Sequence, residues 1–228
     1  MNTEELTKER KDKTSDRVGL ERVVMHGEAY FVMRNFQGMR PFFMSIVSHT
    51  DLWMFISSTG GLTAGRKNSD LAIFPYYTVD KVTESATITG SKTIIRVQTE
   101  DGLKCWEPLS DQFDGKFRIT RNLYKNIASN KIRFEEINHD LQLTFWYEWN
   151  SSEQYGFVKK ASLTNNGEEA CDVEILDGIQ NIVPAGVGAD LQNRASNLVD
   201  AYKRNELEEE SGLGIYALSA YIVDKAEP

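Results

Sequence analysis

The sequence is poor in the residues that build metal sites and nucleophilic active sites. It contains 2 cysteines and 3 histidines, and no Cys-x-x-Cys or Cys/His spacing typical of a zinc site occurs. It also lacks a Gly-x-Ser-x-Gly motif, so serine hydrolase chemistry has no support. We therefore expect no metal ion and no cofactor. The plainer interpretation of Cys105 and Cys171 is two free thiols in a reducing compartment.

Long apolar runs are also missing. No apolar run approaches the roughly 18 residues that span a bilayer. Residues 1–17 are polar and charged, with no apolar stretch of the kind found in a signal peptide. The formal net charge of −8 disfavours a nucleic-acid partner. We therefore expect a cytoplasmic protein with no membrane or nucleic-acid partner.

What the sequence does contain is typical of an all-β protein. Apolar residues make up 40% of the chain, and short β-branched and aromatic runs alternate with Gly, Asn and Asp clusters. We predict a polar tail at 1–17 and then a large antiparallel β-sandwich over 18–228. The predicted strands are 29–36, 42–48, 52–57, 93–99, 116–120, 131–137, 141–149, 157–164, 171–176 and 214–223.

Three local patterns sharpen this prediction. From Leu141 to Glu148 apolar and polar residues alternate with a period of two, with Trp146 as an exception on the more polar face. The Asn165-Asn166-Gly167 sequence between two predicted strands predicts a hairpin. A serine followed by apolar residues at helical spacing predicts one helix over 196–209.

A glycine-rich segment is the first candidate site. Gly60, Gly61 and Gly65 precede Arg66 and Lys67, but no Gly-Lys-Ser/Thr follows, which argues against a nucleotide loop. Two interpretations remain open. One is a long turn between strands, and the other is a loop that presents side chains to a hydroxyl-rich ligand. The candidate ligand-binding side chains of this segment are Arg66, Asn68, Tyr76, Tyr77 and Asp80.

Two tryptophan-containing segments are further candidates. Trp106 lies next to Glu107, and Trp146 lies two residues before Glu148. A tryptophan beside a carboxylate suits sugar stacking, but it suits a hydrophobic core equally well. We keep both interpretations for Trp106. The histidines, His26, His49 and His139, have no partner at ligand or catalytic spacing in the sequence.

Taken in order along the chain, several motifs resemble the N-terminal domain of the cellobiose phosphorylase group, glycoside hydrolase family 94 and its relatives. The resemblance spans about residues 43–182, and segment 177–204 departs from the phosphorylase pattern toward a separate bacterial branch. The matching motifs are Ser57-Ser58-Thr59-Gly60-Gly61 with Asn68, Pro75 with Asp80, Ile94-Ile95-Arg96-Val97 with Asp101-Gly102, Trp106-Glu107-Pro108, and Leu163-Thr164-Asn165-Asn166.

The resemblance implies a galactose mutarotase-like supersandwich, joined through a helical linker to an (α/α)₆ barrel. In that family the general acid and the phosphate-binding residues lie in the barrel, and nothing in this chain matches them. No catalytic residue is therefore carried over, and we expect the chain to be inactive alone. Residues 194–228 would include the start of the linker.

The leading hypothesis from the sequence is a non-catalytic domain of a glycoside phosphorylase- or hydrolase-like protein. It would shape the active site and pack on the barrel, with carbohydrate, the C-terminal catalytic domain and a second copy of the chain as partners. One alternative is a free-standing carbohydrate-binding module. Another is a mutarotase-type epimerase, which would need a positioned acid and base, commonly His and Glu.

Overall fold

The computed structural model describes residues 18–76 and 78–220. In this part of the chain the secondary structure is mostly antiparallel strand, which confirms the predicted all-β class. The fourteen strands of the described residues are β1 (Gly19–Met25), β2 (Glu28–Arg34), β3 (Phe43–Ile46), β4 (Leu52–Ser57), β5 (Leu62–Arg66), β6 (Gly90–Thr99), β7 (Gly102–Trp106), β8 (Ile119–Asn126), β9 (Lys131–Asn138), β10 (Leu143–Ser152), β11 (Gly156–Asn165), β12 (Val173–Gln180), β13 (Lys203–Glu208) and β14 (Leu213–Leu218).

Helical structure is limited in the same residues. The α-helices are α1 (Val79–Glu84) and α2 (Ala189–Tyr202). Short 3₁₀ turns occur at Phe36–Gly38, Ser69–Leu71 and Asp111–Phe113. No helix within 18–76 and 78–220 is both long enough and apolar enough to cross a membrane.

The strands form two packed layers. One layer is a six-stranded sheet in the order β1-β2-β8-β9-β10-β11. The facing layer consists of two three-stranded sheets, β3-β4-β5 and β12-β6-β7, and β13 and β14 form a separate hairpin. A single hydrophobic cluster contains side chains from both layers, which confirms the predicted sandwich.

The alternation predicted for β10 directs one face of this strand into the hydrophobic core. Its inward-facing apolar side chains are at most 3% exposed, and burial of each such side chain is worth about 1.5–3 kcal/mol. They are Leu143, Phe145, Tyr147 and Trp149. Trp146 points to the opposite face, as predicted, where the Arg133 guanidinium lies 4.0 Å from the ring centroid.

The hairpin predicted at Asn165-Asn166-Gly167 is wrong. The two strands exist, but β11 pairs with β10 while β12 pairs with β6 in the other layer. Neither Asn166 nor Gly167 has the positive φ of a tight type I′ turn. Instead, the Asn166 amide donates to the Gln142 carbonyl at 2.8 Å, so the connection is held against the β9–β10 turn.

The predicted bounds of the helix are also wrong. Helix α2 runs from Ala189 to Tyr202 with non-helical backbone at Ala195, and 203–208 form β13 instead. The turn between β13 and β14 contains Gly212 at φ 70°, which allows the chain to reverse there. Leu207, which the helical spacing included, therefore lies on a strand.

Candidate functional site

The glycine-rich segment is not one long loop. Residues 62–66 form β5, which pairs with β4, so the glycines serve close packing. A Cβ at Gly61 would lie 2.3 Å from the Val82 carbonyl oxygen of α1. Gly60 has φ +90° and turns the chain from β4 into β5. The turn is therefore held rigidly against α1.

Arg66 and Asn68 make local contacts at the end of β5. The Arg66 Nη2 atom lies 3.2 Å from Asp51 Oδ1, in an ion pair whose arginine is 62% exposed. The partner is thus neither Asp70 nor Asp80, the acidic residues that follow Arg66 in the sequence. The Asn68 side chain accepts a hydrogen bond from the Asp70 amide at 3.1 Å and caps the following 3₁₀ turn.

Tyr76, Tyr77 and Asp80 follow this turn. Tyr76 is 45% exposed, and its ring centroid lies 6.0 Å from that of Trp53 in an edge contact. Tyr77 lies outside the described residues. Asp80 is exposed in the first turn of α1, where a hydrogen bond from the Thr78 hydroxyl is the main cause of its lowered pKa.

Trp106 lies inside the sandwich. It is 1% exposed, and its indole Nε1 donates to Glu136 Oε1 at 2.7 Å. A ring buried to this extent has no free face for a sugar, which favours the core interpretation. Glu107, next in the chain, is also buried and pairs with Lys92.

Two clefts flank segment 183–187. The Tyr76 cleft, of about 250 Å³, lies between Tyr76 and α2. The Arg66 cleft, of about 360 Å³, lies between the end of β5 and the same segment. Both include Val183, Pro184 and Val187 in their walls, so the sequence-predicted Arg66 and Tyr76 border neighbouring parts of one surface. Neither wall includes Asn68, Asp80 or Trp106.

Backbone contacts position this surface. The Val183 amide donates to the Ile73 carbonyl at 2.8 Å, which ties the segment to the chain between the two clefts. Val183 and Val187 pack with Val199 of α2 in a small hydrophobic cluster that forms part of the wall of the Tyr76 cleft. The helix therefore presents its polar side chains toward Tyr76.

The Tyr76 cleft is rich in groups that both donate and accept hydrogen bonds. The polar side chains that line it, besides Tyr76, belong to Asn181, Gln192, Asn193, Ser196, Asp200 and Lys203. Lys203 Nζ contacts Asp200 Oδ1 at 2.6 Å, and this hydrogen bond is the main cause of the raised pKa of Lys203. Amide, hydroxyl and aromatic groups together suit hydroxyl-rich ligands better than charged ones.

The sequence did not single out the amide residues of α2. Gln192 and Asn193 are adjacent polar residues inside a weakly apolar stretch, which is a signal for a solvated helix but not for a site. Their meeting with Tyr76 depends on the contact between Val183 and Ile73, which are far apart in sequence. No local pattern reports such a contact.

Acid–base chemistry has little support around these clefts. None of the three histidines lines either of them. His49 Nε2 does lie 2.7 Å from Glu153 Oε1, but both side chains are more than 70% exposed. Among residues 18–76 and 78–220 no group of three or more His, Cys, Asp or Glu side chains is arranged to hold a metal ion.

The chain matches no known protein-family model, and no curated protein matches it.

Proposed function

We propose that this chain is a non-catalytic module of a carbohydrate-active enzyme and that it binds a hydroxyl-rich ligand in the Tyr76 cleft. The observation that carries the proposal is the half-exposed Tyr76 ring opposite the amides of α2. Sugar recognition needs apolar contact with a ring face and hydrogen bonds at its edges. The ordered resemblance to cellobiose phosphorylase N-terminal domains supports the same ligand class.

Titration calorimetry with cellobiose, lactose and maltose tests this site. We expect saturable binding of at least one disaccharide. Tyr76→Ala and Asn193→Ala should each weaken it roughly five-fold or more, a loss of about 1 kcal/mol. Tyr155→Ala is the matched control, since Tyr155 is 74% exposed in the turn between β10 and β11. Equal affinity in all four proteins, or no binding by the unaltered chain, would contradict the proposal.

A second role, packing against a catalytic domain, is supported by the uncovered strand β12. Its apolar side chains are 37–69% exposed. They are Val173, Ile175, Leu176 and Ile179. Ile175 pairs with Ile95 and Leu176 with Ile94, so apolar groups stand uncovered on both faces of one edge strand. Such a patch is typical of a surface that another domain covers.

A helical catalytic domain is the occupant we propose for the β12 patch. Sedimentation velocity over a series of protein concentrations shows whether a second copy of the chain covers the β12 patch instead. We expect the chain to be a monomer at all concentrations. We also expect it to bind a hydrophobic dye, and Leu176→Lys should bind less of this dye. A concentration-dependent dimer that Leu176→Lys dissociates would show instead that the patch is a homodimer interface.

A further inference from the structure

A third recess lies away from the two clefts. It is a recess of about 90 Å³ between the β4–β5 turn, the start of β6 and the segment after β7. Thr59, Gly60, Ser91 and Tyr147 contribute to its walls. A neighbouring recess, also of about 90 Å³, shares Thr59 and Tyr147 with it. The phenol of Tyr147 therefore stands where the two spaces meet.

Packing fixes the position of the Tyr147 ring, but its hydroxyl has no hydrogen-bond partner among the described residues. The side chain is 3% exposed, and its ring stacks on Phe134 with centroids 5.1 Å apart. Its Oη makes no hydrogen bond to any described residue. A Cβ at Gly60 would lie 3.2 Å from this oxygen, so the absence of a side chain at Gly60 keeps the space beside it open. Tyr147 Oη is not one of the fully enclosed side-chain atoms that lack a hydrogen bond, so a ligand in the recess can reach it.

Ser91 also lines the recess, but its Oγ is enclosed by protein atoms and has no hydrogen-bond partner in the described part of the chain. A ligand in the recess therefore does not reach this oxygen. The ion pair of Lys92 with Glu107 also borders the recess, and the ammonium retains two further donors. The Tyr147 hydroxyl and the Lys92 ammonium thus offer hydrogen-bonding groups to one small space.

The surroundings define the class of ligand. The charged side chains that line the recess are two acidic ones, Glu107 and Asp111, and one basic one, Lys92. This balance disfavours an anion. One water molecule needs roughly 10–15 Å³ of cavity volume. The recess, of about 90 Å³, therefore has room for about six to nine non-hydrogen atoms of a ligand. We propose that this recess binds a small neutral polyol of three or four carbons, through the Tyr147 hydroxyl and the Lys92 ammonium.

Amide NMR titration of the full chain with glycerol and erythritol tests the proposal. We expect saturable shifts at Gly60, Ser91 and Leu109, with a Kd of about 1 mM or tighter. Tyr147→Phe keeps the stacked ring and removes only the hydroxyl, so it should weaken binding about 3- to 10-fold. Ser91→Ala should bind normally, because its Oγ is enclosed by protein atoms. Tyr155→Phe, at the exposed turn, serves as the matched control and should bind normally.

The melting temperature of the ligand-free variants gives a second, independent readout. Because Tyr147 Oη has no partner among the described residues, Tyr147→Phe should leave the melting temperature unchanged or raise it. A clear fall would mean that the hydroxyl is already satisfied within the folded protein, and it would overturn the proposal. Absence of saturable shifts would identify a recess filled by water only. Tighter binding of glycerol 3-phosphate than of the polyols, or unchanged binding in Tyr147→Phe, would equally overturn it.

Discussion

Arg121 and Glu136 face each other across strands β8 and β9, and the arginine Nε donates to Glu136 Oε2 at 2.7 Å. Their side chains are 9% and 2% exposed, so the pair lies within the sandwich. Glu136 also accepts from Trp106 Nε1 at 2.7 Å and from the Leu109 amide at 2.8 Å. One carboxylate thus joins the six-stranded sheet to β7 and to the segment that walls the polyol recess.

We predict that Glu136→Gln is destabilising. The amide cannot accept at both ends, so one buried donor loses its partner, while Arg121 keeps its ion pair with Asp111. An unsatisfied buried donor costs about 1–3 kcal/mol. Urea unfolding followed by tryptophan fluorescence measures the loss. Arg96→Ala breaks the exposed Arg96–Glu174 pair instead and should change the unfolding free energy by about 0–1 kcal/mol. Similar losses in the two variants would show that the buried network contributes no more than a surface pair.

The sequence allowed part of this arrangement to be predicted. Period-two patterns in β10 identified its inward face, because burial on one side of a sheet requires alternation. In β9 the same alternation places Glu136 on the face of Ile132 and Phe134, a carboxylate among apolar residues. Its partners were not predictable, since Arg121 and Trp106 meet it only through the pairing of β8 and the packing of the opposite layer.

The candidate site was partly predictable for the same reason. Arg66 and Tyr76 stand on a short segment whose composition indicates a polar surface, and both border the clefts. Asn193 enters the site because segment 183–187 bonds back to Ile73, which no periodicity encodes. Trp106 could not be assigned, because tryptophan serves equally in cores and in sugar platforms until its burial is known.

Gly61→Ala should destabilise the β4–β5 turn. The added Cβ would lie 2.3 Å from the Val82 carbonyl and 2.7 Å from Ser85 Oγ, so α1 or the turn must move. Overpacking of this kind costs about 1–3 kcal/mol. Thermal unfolding followed by circular dichroism measures it. Gly214→Ala, where a Cβ meets nothing within 4 Å, is the control and should change stability little. Equal melting temperatures would show that the turn is not packed as closely as described.

The buried tyrosines make stability fall at alkaline pH. Burial is the main cause that raises the pKa of Tyr30 and of Tyr124 to about 12, and burial also raises the pKa of Tyr147. An unfolded tyrosine titrates near pH 10. The folded state therefore keeps protons that the unfolded state loses, so this stabilisation is full below about pH 10 and disappears as the pH rises toward 12.

Ultraviolet absorbance of tyrosinate tests this pH dependence. In the folded protein we expect some tyrosines to ionise well above pH 10, in a step that overlaps with alkaline unfolding. In denaturant we expect all tyrosines to ionise in a single step near pH 10. Tyr124→Phe should reduce the amplitude of the late step. It should also flatten the alkaline fall in unfolding free energy. A single step near pH 10 in the native protein would show that these phenols are accessible to solvent.

A variant of Arg66 can distinguish an effect on ligand binding from an effect on stability. Arg66 pairs with Asp51 while 62% exposed, and such a pair contributes about 0–1 kcal/mol. Arg66→Ala should therefore leave the melting temperature nearly unchanged. If the disaccharide of the Tyr76 cleft extends across Val183 into the Arg66 cleft, its affinity should fall roughly three-fold or more, as measured by titration calorimetry. Asp51→Asn is the matched variant, because it loosens the same pair but keeps the arginine charge, and it should bind normally. If both variants lose affinity and melt at a lower temperature, the Arg66–Asp51 pair stabilises the fold and does not itself bind the ligand. Unchanged affinity in Arg66→Ala would confine the ligand to the Tyr76 side of the surface.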